Sequence, residues 1–338
     1  MNKDIKQRFV DDFKIPIPVF EDPYWEFYLS LYEKEFQART YWEKLMQGIE
    51  EEYQGNTSEF LRDFYALRES LINAIKDCPD YQRYNEGALL VTKPDFGPNV
   101  KKDDIYNEGF LGGPYWSVDL KKANVQAFCS ISPNFFNGTI GLGSTVDKVY
   151  TEWVLSHVGD KKTLTWYAPM SKYMRQVIFG NCNPKRQIKI EEGLVGQAAH
   201  MVLDFIGRED TKVISYGSDE VVLKVSLEVV AGEAELNEIE CYILDRLHTE
   251  VRVEPFTLSS LEFENATGNK IRAYKKTYLR PGRGVEYKGI SRHYYAQIFE
   301  QIHSIPVDPD GKDLVFYQEK EPAKFANRLK FIGENHGV

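Results

Sequence analysis

Three stretches of this chain carry residue types suited to chemistry on phosphates. Asp119 ends the apolar run in residues 117–124 (SVDLKKAN), while Asp219 and Glu220 lie at the turn of residues 213–225 (VISYGSDEVVLKV). Between them runs a basic, helix-prone segment, residues 171–187 (SKYMRQVIFGNCNPKRQ). Mg²⁺ needs few carboxylates, because water and phosphate oxygens complete its octahedron. Two such ions about 4 Å apart can activate a hydroxyl and grip a triphosphate, so Asp119 and Asp219 read as a pair of ligands, with Glu220 as an auxiliary. The plainer alternative is that Asp119 caps a helix starting near Lys121 and Asp219 satisfies a tight turn. The order acid, cationic helix, acid favours the first reading.

Charge distribution supports it more than net charge does. With 42 basic and 51 acidic residues the chain carries −9, which argues against a general nucleic-acid coat. The cations are concentrated, however. Seven Lys/Arg face one acid in residues 160–189, and eight face one acid in residues 270–292. One such run alone would read as a solvated face. Four widely spaced cysteines form no zinc pair and read as reduced thiols of a cytoplasmic protein. No apolar run approaches a membrane span, so no membrane partner is expected. The six histidines lack ligand spacing, and neither a hydrolase triad nor a Gly-x-x-x-x-Gly-Lys loop is present.

The elements that must position these residues follow from periodicity. Residues 1–22 read as extended, since Pro16, Pro18 and Pro23 oppose helix. Residues 24–78 are helical, interrupted at 55–58 (GNTS) with Ser58 as the expected N-cap. Strands are expected at 88–92, 115–120, 251–263 and 270–279, and a hairpin at 212–225 turning at 217–219. Helices are expected at 121–130, 146–157, 171–206 (broken at 180–184), 236–248 and 294–302. Residues 134–144 read as a loop, and 308–311 as a turn. The order predicts an α+β fold with an antiparallel sheet. Three parts are expected: a helical N-terminal module (1–85), a sheet-bearing part with a helical insertion (86–305, insertion about 145–207), and a C-terminal tail (306–338).

Over residues 115–292 the chain resembles the palm of the family A and family B DNA polymerases. VDLKKANVQAF resembles motif A, a strand ending in a metal-binding Asp. KYMRQVIFGNCNP resembles motif B of family A, which implies that Arg175 holds the triphosphate, Lys172 assists one turn earlier and Phe179 stacks on the base. SDEVVLKV is similar to the family A His-Asp-Glu hairpin, with Ser218 in the His position, and YGSDE to a shortened family B Tyr-Gly-Asp-Thr-Asp-Ser turn. AYKKTY and EYKGISR resemble family B elements that touch the duplex.

The resemblance implies a palm-type sheet with fingers-like helices and two-metal phosphoryl transfer with Mg²⁺ or Mn²⁺. Nucleoside triphosphates and a primer–template would be its partners, with Lys275, Lys276, Arg280, Lys288 and Arg292 on the nucleic-acid backbone. Asn124 lies at the sugar-sensing position, five residues beyond Asp119. A short amide there predicts weak discrimination against ribonucleotides and a primase-like activity, which comparing ATP with dATP incorporation tests. Helix capping is the alternative role of Asn124. The chain departs from the pattern in lacking a second hairpin Asp, an exonuclease and a thumb. It would therefore act within a larger replication complex of a virus or phage, or as a catalytically inactive palm relic serving as a binding or structural subunit.

Overall fold

The computed structural model describes residues 3–22, 24–87, 95–97, 100–102, 105–141, 143–207, 211–225, 232–264, 268–289, 315–318, 321–324 and 330–337. The first helix, α1 (Lys3–Phe13), replaces the extended segment expected there. Ile5, Phe9 and Val10 bury one face of it, and the helix ends before Lys14 (φ 55°), so Pro16 and Pro18 follow its end rather than preclude it. Five helices complete the N-terminal part: α2 (Tyr24–Leu31), α3 (Glu33–Phe36), α4 (Ala38–Tyr53), α5 (Thr57–Asp77) and α6 (Tyr81–Glu86). The cap of α5 is Asn56, whose side chain accepts from the Glu59 N–H at 3.2 Å, and not Ser58.

The described strands β1 (Lys101–Lys102), β2 (Pro114–Leu120), β3 (Lys212–Tyr216), β4 (Glu220–Lys224), β5 (Val251–Glu264), β6 (Lys270–Tyr278), β7 (Val285–Lys288) and β10 (Lys330–Asn335) form one sheet. Its order is β1-β3-β4-β2-β5-β6-β7, with β10 pairing the outer half of β5. All pairings are antiparallel except β1 with β3. A separate hairpin joins β8 (Val315–Gln318) to β9 (Glu321–Lys324). The fold is α+β, as expected. The expected strand at 88–92, helix at 294–302 and turn at 308–311 lie outside the described residues.

Strand alternation explains how the sheet is covered. Trp116, Val118 and Leu120 of β2, Val221 and Leu223 of β4, and Val251 and Val253 of β5 face the helices. They join a single apolar core that begins at Ile5, so the N-terminal helices and the sheet share one interior. The helices α7 (Ala123–Cys129), α8 (Val146–Val158), α9 (Lys162–Met170), α10 (Lys172–Gly180), α11 (Pro184–Ile206) and α12 (Glu233–Leu247) complete that layer. α11 lies directly on β2 and β4, and the small buried residues Gly193, Gly196, Ala198 and Ala199 permit the close approach. On the opposite face Tyr115, Val222, Phe256 and Leu258 form a smaller cluster with Ile105 and Ile214.

Candidate functional site

The site grows out of strand register. Asp119 is paired across β2–β4 with Glu220 and across β2–β5 with Arg252, so Glu220, Asp119 and Arg252 form one row over three strands. By alternation this row shares the face of Tyr115, away from the helices. Asp219 ends the turn that precedes β4, and its carbonyl accepts from the Leu120 N–H at 2.8 Å. The two acids named from the sequence, a hundred residues apart, thus lie at the same end of the β2–β4 pair, Asp219 one residue before the register partner of Asp119. Asp119 is half-buried and Asp219 exposed.

Like charges directly opposite each other on a sheet repel. Burial, with the Glu220 and Asp219 carboxylates, pushes the Asp119 carboxyl up to about 7, against the pull of Arg252. Glu220 is better compensated: Lys276 donates to it at 2.6 Å and the Ser117 hydroxyl also donates to it. One further acid was not anticipated. Glu191 of α11 is 5% exposed, and burial raises its carboxyl to about 7, opposed by a hydrogen bond from Gln187 and reinforced by Asp219. Its signal in the sequence is a Glu beside Ile190 and Leu194, on the apolar stripe of a helix.

The helical insertion contributes differently from expectation. Ser171 caps α10 by accepting from the Met174 N–H at 2.8 Å, which places Lys172 at the exposed start of the helix. Arg175 is half-buried, with Cζ 6.0 Å from the centroid of the Tyr150 ring. Phe179 requires correction. It is 0% exposed and packs on Phe128, Phe136 and Tyr150, so its ring belongs to the core instead of being offered to a base. Asn124, in the first turn of α7, is half-buried, and its side-chain carbonyl accepts from the Val125 N–H at 3.0 Å.

The expected backbone-binding cations are engaged with acids of the chain itself. Lys276 is only 3% exposed and lies over Phe256 and Tyr278, turned into the fold beside Glu220. Lys275 pairs with Glu334 at 3.0 Å, and Lys288 with Glu286 at 2.6 Å. Arg280 reaches Glu233 at 2.9 Å and Glu240 at 2.5 Å. Local pairing therefore cancels much of the positive excess that the sequence concentrates in this segment. Arg292 lies outside the described residues.

Glu250 organises the turn behind Asp119. Its carboxylate takes hydrogen bonds from Lys121 Nζ at 2.7 Å and from the Val146 N–H that opens α8 at 2.8 Å. Gln126 donates to its carbonyl at 2.7 Å and accepts from its N–H at 2.6 Å. Among the described residues, no group of three or more His, Cys, Asp and Glu side chains is arranged to hold a metal, and no helix is long and apolar enough to cross a membrane. The chain matches no protein-family profile, no curated protein and no solved structure.

Proposed function

We propose that the chain is a Mg²⁺-dependent, template-directed nucleotidyltransferase whose working corner is Asp119 with Asp219. The observation that carries this reading is the pairing of Asp119 with Glu220 across β2 and β4, with Asp219 in the turn one residue before Glu220. A divalent cation fits the donor set on physical grounds. Burial, with the Glu220 and Asp219 carboxylates, holds the Asp119 carboxyl up at about 7, while Asp219 is exposed, and two carboxylates suffice for an ion that keeps its waters and phosphate ligands. When bound, the ion supplies charge neutralisation at the phosphate and polarises the attacking hydroxyl.

The chain's own residues have separate tasks in this reading. Asp119 would hold the cation as a carboxylate, its proton passing to water, and Arg252 opposite it limits the repulsion from Glu220. Lys276 and Ser117 hold Glu220 in place as an auxiliary acid. Primer extension with Mg²⁺ or Mn²⁺ tests the proposal, with Asp219→Asn expected to reduce extension at least a hundredfold. Thermal melting tests the cation itself: Mg²⁺ is expected to raise the Tm of the wild type at pH 8 but not that of Asp119→Asn. No extension and no cation-dependent Tm shift would overturn the reading.

One observation favours a second reading, that of an inactive palm relic acting as a binding or structural subunit. The auxiliary acid and four of the expected nucleic-acid cations are already spent on internal ion pairs. Salt-dependent binding to primed template without extension would identify it.

A further inference from the structure

Four of the five tryptophans are buried: Trp25, Trp42, Trp116 and Trp153. The fifth, Trp166 of α9, is half-buried and lines a cavity of about 380 Å³ between α4 and α9. That volume lies near the lower bound for ligand pockets. On the α4 side Lys44, Gly48 and Glu51 recur at i, i+4 and i+7, so they share one face of the helix. Gly48 has no side chain to fill the middle of that face, and Thr163 of α9 packs against it.

The resident of the indole shows what the cavity suits. Lys44 Nζ stands 4.3 Å from the centroid of the Trp166 ring. Lys44 is itself exposed, and a cation–π contact at an exposed site is weak, so this ammonium can swing into solvent. Glu52 is already spent at the start of α9, where it accepts from the Lys162 N–H at 2.7 Å and the Thr163 N–H at 2.9 Å. Glu51 is exposed and has no cationic partner among the described residues; it accepts from the neutral Gln47 amide at 2.7 Å. Once Lys44 leaves, the lining holds two acids against the one cation, Lys162. Lys44 and Glu51 are seven residues apart, roughly 10 Å along the α4 axis. A compact ammonium can touch the indole or the acid, whereas an extended cationic side chain reaches both.

We propose that this cavity binds an arginine side chain of a basic protein partner, lying on Trp166 where the Lys44 ammonium now rests and donating to Glu51. A planar guanidinium matches a flat indole and presents two parallel N–H groups to a carboxylate; an ammonium does neither. Arginine and tryptophan are also the residues that most often anchor protein interfaces. Four of the lining residues, Lys44, Gln47, Glu51 and Lys162, are exposed, so a side chain can enter while its backbone stays outside. The net charge of −9 favours a basic partner. None of these residues has a part in the proposed phosphoryl transfer, so the site stands or falls independently of that reading.

Isothermal titration of the full chain with blocked Gly-Arg-Gly, blocked Gly-Lys-Gly and tetramethylammonium tests the site. Saturable binding of the arginine peptide is expected, severalfold tighter than that of the other two probes. Glu51→Gln is expected to weaken it about tenfold, the loss of roughly one charge-assisted contact, and Trp166→Leu to abolish it. Lys44→Ala, which removes the resident cation, is expected to tighten it severalfold. Thermal melts establish that each variant is folded, and Glu51 is exposed, so its replacement leaves the core untouched. No saturable binding by either the wild type or Lys44→Ala, or binding that Glu51→Gln and Trp166→Leu leave unchanged, would overturn the proposal. Equal affinity for the arginine and lysine peptides would overturn it as well. So would a preference for tetramethylammonium, which would make the cavity a site for small quaternary ammonium ions instead.

Discussion

An acid held near neutrality by its surroundings ties stability to pH with a definite sign. The folded state raises the carboxyls of Asp119 and Glu191 from 3.8 and 4.5 to about 7, so between those limits it binds more protons than the unfolded chain. Stability from these groups is full below about pH 4 and is lost as pH rises through 7. Asp119→Asn is therefore expected to stabilise the chain at pH 8, on the order of 2 kcal/mol, with the gain vanishing below about pH 4. Thermal melts at the two pH values measure this. An equal effect at both would mean that folding does not raise the Asp119 carboxyl. At this scale the acids were legible, because a carboxylate ending an apolar strand is visible in one dimension. Phe179 was not legible as a site residue. Its spacing from Met174 and Ile178 marks a core face, and that pattern outweighed the motif.

The strands were the most readable elements, since β5 is rich in β-branched and aromatic residues and β3–β4 turn at Gly217–Asp219 as glycine and aspartate favour. Helix α1 was missed because prolines mark where a helix stops as readily as where none forms. Its attachment shows what that helix does: Asp12 accepts from Arg8 at 3.0 Å, Tyr167 at 2.7 Å and Ser171 at 2.5 Å, with its side chain 0% exposed. This network pins α1 to the α9–α10 junction. Asp12→Ala strands the buried Arg8 charge and is expected to cost about 3 kcal/mol in urea denaturation. A second element-level test lies where α4 meets α9. Alanine normally stabilises a helix interior relative to glycine by about 1 kcal/mol. At Gly48 a Cβ would stand 2.5 Å from Thr163 Oγ1 and 3.0 Å from its Cγ2, and Thr163 is buried. Gly48→Ala should therefore destabilise, by roughly 1–3 kcal/mol, reversing the usual sign.

Across the whole molecule, the division into an N-terminal module and a sheet-bearing part describes the sequence better than the interior. Tyr84 of α6 stacks on Phe128 of α7 at 4.0 Å, and Phe9, Phe60 and Phe128 belong to the same core as Val251. Deleting residues 1–85 is expected to abolish the cooperative thermal transition; a sharp melt in the remainder would show that the sheet sustains itself. β10 has a different consequence. It pairs with β5 from Glu264 to Ser260, with a bulge between Phe331 and Gly333, and Glu334 supplies the partner of both Ser259 and Lys275. Every strand it touches is synthesised earlier, so during translation β5 emerges with its outer edge bare and waits for more than sixty residues to leave the ribosome. Until then that edge is an invitation to neighbouring nascent chains, and a cell making this protein quickly would depend on chaperones to keep it covered.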